Sequence, residues 1–210
     1  MGMETVAGVR IPDTQPAKAA SALVAEVSPD FLAEHCRRSH VFAALLGQAL
    51  GIDYDEELLY LCAILHDLGV TDRFATGERL EVAGAKAAAD FARDHGLPED
   101  RVASIWDAVA LHTSLGIADA KGGEVALTHF GVVVDVVGLR YDLLPEGAAD
   151  AVLSAFPRRG FKNAFHGLVL KHAAQNPAAY AFTWLHESVR DHVAPLPTFD
   201  EAFFGAPFAE

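Results

Sequence analysis

The chain has 210 residues, 51% of them apolar and 21% charged, a balance that suits one folded unit with a sizeable core and excludes long disorder. Its 29 acidic residues outnumber 16 basic ones, for a formal net charge of −13 with no basic stripe, which excludes nucleic acid and anionic membrane surfaces as general partners. The longest apolar runs, such as Leu58 to Leu65, fall far short of the ~20 residues a membrane-spanning helix needs.

In chain order, residues 1–27 read as an N-terminal segment with a short helix. Its opening residues lack a basic region followed by an apolar stretch, so no secretory signal is expected. Ser28-Pro29-Asp30 places a capping serine before a proline at the first helical position. The apolar spacing that follows predicts a helix over 30–50, closed by Gly51. A second helix is predicted over 55–70; apolar side chains nearly encircle it, which makes it central. Residues 71–79 read as a loop, followed by helices near 80–95 and 99–113. A glycine-bearing loop then spans 114–123.

Residues 125–139 are ambiguous, because the β-branched run suits a strand while its length favours a buried helix. Further helices are predicted over 150–156, 162–175 and 178–192. The tail from Ala194, rich in Pro and Phe, is expected to be irregular. The expected fold is therefore all-α: one helical domain over 28–193 with a tail over 194–210. Cys36 and Cys62 fall in apolar helices and read as buried free thiols of a soluble cytoplasmic protein.

Four ionisable residues stand out because each lies in an apolar segment: His35, His66, Asp67 and Asp135. Such groups need partners when buried. One divalent metal at a seam between helices would satisfy all four and leave a position open for water, as in catalytic rather than structural sites. Adjacent donors on a helix point about 100° apart, so His66 and Asp67 can share an ion only at such a seam. Zn, Fe, Mn, Co and Ni all accept this donor set. The bland alternative for Asp135 is a buried pair with an arginine such as Arg38. His112 and Thr113, at the end of a predicted helix, are candidates to hold substrate or move a proton. A dipole-stabilised helix terminus is the alternative for His112. Glu81 is either a capping group or an acid–base carboxylate. Phe74, Trp106 and Phe130 are candidate pocket walls or plain core, and His129 is a supporting group or a core hydrogen bond.

The order His35, then His66-Asp67, then Asp135 resembles the HD-domain superfamily of all-α metal-dependent enzymes. Ile11-Pro12-Asp13-Thr14, His35-x-x-Arg38 and Leu58 to Gly69 narrow the resemblance to the cyanamide hydratase branch. Glu81 to Ala85, Trp106 to Ala118 and Glu124-Val125-Ala126-Leu127-x-His129-x-Gly131 do the same. That branch commonly has serine after the first histidine, where this chain has Cys36, which is expected to pack rather than bind.

The resemblance implies an all-α helical bundle with His35, His66, Asp67 and Asp135 as ligands of one metal, zinc first. It also implies Asp67, Glu81, His112 and Thr113 as catalytic groups, with Thr113 donating a hydrogen bond to substrate or water. The implied reaction is addition of water to a small nitrile-like substrate such as cyanamide, giving urea, with the metal bringing a water's pKa toward ~7. The alternative is a phosphohydrolase acting on a nucleotide or small phosphomonoester. That reaction needs extra cations, for which Arg37, Arg38, Arg73, Arg79 and Lys86 are candidates. Arg158, Arg159 and Lys162 read as a solvated helix start or a subunit contact, with an anion site as the alternative. The resemblance and the Phe-rich tail, with Phe199, Phe203, Phe204 and Phe208, are compatible with a homo-oligomer; the alternative is a tail that covers its own core.

Overall fold

The computed structural model describes residues 5–207. Met1 to Glu4, and Phe208 of the tail, lie outside the described residues. The expected all-α fold is what forms. Only one sheet occurs among the described residues, a two-stranded antiparallel hairpin of β1 (Thr5–Val6) and β2 (Val9–Arg10) that sequence patterning did not reveal.

Thr14 accepts a hydrogen bond from the Ala17 N–H and starts α1 (Gln15–Val27). Ser28 caps the end of α1 rather than the start of the next helix. Pro29 takes that place, one residue later than expected, and α2 runs Asp30–Leu50. Asp30 in its first turn complements the helix dipole, and Gly51 closes it at φ 65°. Asp55 caps α3 (Glu56–Leu65) by accepting from the Leu58 N–H at 2.8 Å. Every α3 residue from Leu58 to Leu65 is buried, as its apolar circumference requires.

The expected helix over 55–70 does not continue. It stops at His66, and a 3-10 turn at Leu68–Val70 follows. Next come α4 (Leu80–Asp94), α5 (Glu99–Leu111), a short α6 (Ile117–Lys121) inside the expected loop, and α7 (Gly123–Val137). The valine-rich run is thus helical. It packs against α2 more extensively than any other helix pair does, and a strand could not present the same stripe.

Beyond it lie α8 (Ala148–Ala155), α9 (Phe161–Ala173), α10 (His186–His192) and α11 (Phe199–Phe204). Two expectations fail here. The helix predicted over 178–192 is a 3-10 turn at Pro177–Tyr180, a turn and then α10, because Phe182 takes a left-handed φ of 60°. The tail is not wholly irregular either, since Thr198 and Glu201 form a capping box that nucleates α11. Phe199, Phe203 and Phe204 on α11 remain exposed. No described helix is long and apolar enough to cross a membrane.

Three apolar clusters hold the fold. One joins α1, α3, α4 and α5 through residues such as Cys62, Leu65, Ala88 and Val109. A second joins the hairpin, α2, α7 and α8 through Val41, Leu45, Leu127 and Val152. The third sets the C-terminal residues Val169, Tyr180, Leu185 and Val189 on Leu32, Val70 and Leu80.

The α2–α7 crossing depends on Gly131. A Cβ there would sit 2.0 Å from the Ser39 carbonyl oxygen and 2.9 Å from the Ala43 nitrogen. Gly131→Ala should therefore destabilise the fold by about 3 kcal/mol, the upper range for overpacking. Gly167→Ala, in open space on α9, should stabilise it by up to ~1 kcal/mol. Urea unfolding of the two variants checks both; equal midpoints would show that α2 and α7 part without strain.

Candidate metal centre

His35 projects from the middle of α2, and His66 caps the C-terminal end of α3. Ending α3 at His66 frees Asp67 to leave helical geometry (φ −101°, ψ 14°). That departure removes the ~100° divergence of adjacent helical side chains and lets Asp67 turn back toward His66. His35 Nε2 and His66 Nε2 lie 3.2 Å apart. Asp67 Oδ2 lies 3.2 Å from His66 Nε2 and 3.6 Å from His35 Nε2. All three residues are buried.

The outer nitrogens of both rings are already committed. His66 Nδ1 donates to the Ala63 carbonyl at 2.7 Å, an acceptor left over at the helix end. His35 Nδ1 donates to Asp135 Oδ2 at 2.6 Å. In the neutral imidazoles both Nε2 lone pairs then face one point. Asp67 Oδ2 joins them there, buried and without a well-directed hydrogen-bond donor. A metal ion, or a proton on His66 Nε2, satisfies such an arrangement. In place of an ion a proton can fill that point: burial opposes it, but the attractions led by the adjacent Asp67 carboxylate outweigh burial and raise the His66 imidazole well above its ordinary value. Asp67 is held below the usual carboxylate range against its own burial, chiefly by His66. His35, His66 and Asp67 can thus hold a metal ion, their ligand atoms all within 4.8 Å of one another.

Asp135 stands one bond further out. Its oxygens take Arg38 Nε and Nη2, both at 2.8 Å, and Arg158 Nη1 at 2.7 Å, besides His35 Nδ1. The arginine pairing weighed for this residue therefore exists. To meet an ion as a fourth ligand, Asp135 would have to trade one of these bonds. Arg38 is wholly buried and also donates to the carbonyls of Phe156 and Pro157. Arg158 is accordingly bound to Asp135, and is not free as part of an anion site. Cys36 packs against His66; burial pushes its thiol up, which keeps it neutral.

His112, at the end of α5, repeats the device used by His66. Its Nδ1 donates to the Val109 carbonyl at 2.6 Å, and its Nε2 points inward, 3.8 Å from Asp67 Oδ1. Burial and the neighbouring His66 charge lower it to about 4, so it is a neutral acceptor at pH 7. His129 Nδ1 donates to the His112 carbonyl at 2.8 Å and fixes that turn.

Glu81 is 1% exposed and accepts from three directions: Arg79 at 2.9 Å, Thr113 Oγ1 at 2.7 Å and Trp184 Nε1 at 2.8 Å. Burial opposes its charge, but the Arg79 hydrogen bonds, the His112 charge and the Thr113 hydroxyl together outweigh this and hold it down to about 2. The expected role of Thr113 changes as a result. Its hydroxyl proton goes to Glu81, so toward the centre Thr113 offers an acceptor, not a donor.

A cavity of about 170 Å³ opens over these groups. His35, His66, Asp67, His112 and Thr113 form its floor, and Val132, Val133, Val136, Val137, Phe165 and Trp184 form its walls. The aromatics singled out as candidate walls lie elsewhere. Phe74 packs at the edge of the first apolar cluster, Trp106 is 40% exposed, and Phe130 lies beneath Arg140. Phe165 and Trp184 were missed because nothing in their local sequence distinguishes a wall from core.

Residues 32–144 match the HD domain among known protein families. This chain belongs to the HD-domain family. No curated protein matches it. The matched stretch carries the whole cavity floor and the α7 wall, while Phe165 and Trp184 come from beyond it. HD-domain proteins are typically metal-dependent enzymes of hydrolase type, and the buried His/His/Asp group fits that character.

Asp67→Asn should abolish stoichiometric metal binding, while Asp135→Asn, acting through His35, should weaken it roughly 10–100-fold. Competition against a chromophoric chelator measures both, and equal loss in the two variants would make Asp135 a direct ligand. Glu81 generates a second expectation. With its folded pKa about 2 against an ordinary 4.5, its ionised form contributes stability above pH 4.5 that is lost as pH falls through 2. Acid titration of Glu81→Gln should show a shallower loss over that window, by about 3 kcal/mol. Superimposable acid limbs would contradict it.

Proposed function

We propose that this HD-domain protein is a hydratase of the cyanamide hydratase type, adding water to the carbon of a small nitrile-like group. The observation that carries the reading is the cavity floor, where a His/His/Asp group that can hold a metal ion lies beside two acceptors, with no basic side chain among the described lining residues. Every basic residue weighed for clamping phosphate is engaged elsewhere. Arg37 pairs with Glu34, Arg38 with Asp135, Arg73 with Glu26, Arg79 with Glu81 and Lys86 with Glu78. None of them lines the cavity. A phosphomonoester would meet, beyond an ion held by His35, His66 and Asp67, only a wall of valines and aromatic rings, without the second cation that clamps its oxygens. An uncharged amino-nitrile needs none.

His35, His66 and Asp67 would hold the ion, with Asp135 fixing the tautomer and angle of His35. Three protein donors and an open position suit zinc. When bound, a divalent ion supplies Lewis acidity and brings the pKa of a water toward neutrality. The chain's own residues do the rest. Thr113 Oγ1 accepts an N–H of the substrate's amino group, and Glu81 holds the threonine rotamer that makes this lone pair available. His112 Nε2 accepts a hydrogen bond from the attacking water, whose oxygen bonds to the nitrile carbon. One C–N π bond opens, the nitrile nitrogen takes up the proton the water gives up, and tautomerisation yields urea. His112 is placed to pass that proton, since only its Nε2 faces the cavity. The valine walls exclude bulk water.

Zinc-loaded protein should release urea from cyanamide, with Asp67→Ala, stripped of metal, inactive. A panel of nucleotides and a chromogenic phosphomonoester should yield no phosphate. Brisk phosphate release with inert cyanamide would overturn the assignment.

A further inference from the structure

Cyanamide leaves most of this cavity empty. It has three heavy atoms, whereas a dry apolar cavity of ~150 Å³ accepts benzene, and the space here is about 170 Å³. The unfilled part is bounded by Val133 and Val136 on α7, Phe165 on α9 and the Trp184 ring, with no charged side chain among them. Apolar surface of this kind rewards contact with an apolar group by about 0.8 kcal/mol per methylene, close to fourfold in a rate or affinity.

Trp184 is held deliberately in place. Its indole N–H donates to Glu81 at 2.8 Å, the carboxylate that also accepts from Thr113. Tyr180 and Leu185, on either side in the chain, are buried at 1% and 3% while Trp184 itself is 43% exposed. The short turn carrying Trp184 is thus anchored at both ends and lays the ring across the cavity mouth.

We infer that the substrate is a cyanamide carrying a compact, uncharged apolar substituent on its amino nitrogen, of up to about six heavy atoms, and that Trp184 is the specificity-determining residue. The inference rests on the hydratase reading for the reaction, and on the cavity alone for the substituent. The amino N–H that remains after monosubstitution still meets Thr113 Oγ1. The chemistry balances as before: R–NH–C≡N and water give R–NH–CO–NH₂, with one C–O bond formed, the C≡N π bonds consumed, two protons moved from water oxygen to nitrogen, and neither oxidation nor a leaving group. Trp184 and Phe165 lie outside the matched HD-domain residues, so this selectivity is a property of the C-terminal part of this chain.

The test has two arms on the zinc-loaded 210-residue chain. Competition kinetics compare cyanamide with its N-methyl, N-butyl and N-phenyl derivatives. Calorimetry compares binding of urea with that of N-butylurea and N-phenylurea, and needs no turnover. kcat/KM should rise about fourfold per methylene to the butyl derivative, and the substituted ureas should bind more tightly than urea in the same order. Trp184→Ala should erase the preference and Trp184→Phe, which keeps a wall without the N–H, should retain most of it. Val136→Phe, which fills the cavity from α7, should exclude the phenyl derivatives first; it keeps the test decisive if Trp184→Ala fails to fold. Turnover of cyanamide with no gain from any substituent would overturn the inference and leave the hydratase reading standing. No turnover of any nitrile, with substituted ureas still preferred and the preference lost in Trp184→Ala, would uphold the apolar subsite and remove the reaction. Neither turnover nor preferential binding would overturn both.

Discussion

Two imidazole nitrogens 3.2 Å apart, each on a ring whose other nitrogen is already donating, are an unstable pair in an apolar core unless positive charge lies between them or beside them. The rest of the centre follows from that constraint. Asp67 supplies a carboxylate at the same point, and a buried carboxylate without hydrogen bonds makes the demand for a cation stronger. The helices meet this demand by where they end as much as by where they run. α3 and α5 both stop at a histidine that turns its Nδ1–H onto the carbonyl three residues back. Each such turn satisfies a terminal acceptor and aims Nε2 forward, so one backbone device sets both His66 and His112.

Arg38 explains why the centre cannot be separated from the C-terminal third. A wholly buried guanidinium needs partners for its whole fork. It finds Asp135 on α7, and the Phe156 and Pro157 carbonyls just before α9. The strength of Asp135 as a partner for His35 therefore depends on a loop far along the chain. Arg158 in that loop adds a second guanidinium to the same carboxylate. With two arginines and a histidine around it, Asp135 stays ionised despite its burial, and His35 keeps a fixed tautomer.

The helices and the centre differ in how much of them a reader of the sequence could see. α2 and the start of α3 were legible from their apolar periodicity, although the serine expected to cap α2 closes α1 instead, and the buried histidines and aspartates were legible because ionisable groups among valines and leucines demand partners. α7 was not decidable by period, because a run of valines suits strand and helix alike; its partner across Gly131 decides it. The break after His66 left no mark in the apolar pattern, which runs on through Leu68 and Val70; at the break Gly69 packs so closely on α4 that a Cβ would lie 2.0 Å from the Leu80 carbonyl oxygen. Trp184 was invisible for a related reason. Its importance lies in a hydrogen bond to a residue 103 positions earlier, and local sequence holds no record of such a contact.

Glu81 joins these two kinds of information. Its place in the first turn of α4 is a local matter, but its three donors come from Arg79 beside it, Thr113 at the end of α5 and Trp184 beyond the HD domain. Two of those donors face the cavity, one on its floor and one at its mouth. Because Thr113 Oγ1 and Trp184 Nε1 share a single oxygen of Glu81, displacement of the ring changes the competition for that oxygen. The threonine lone pair and the indole wall are thus positioned together. The mouth and the floor of the cavity are coupled through one carboxylate, which ties a C-terminal turn outside the matched HD-domain residues to the groups beside the metal centre.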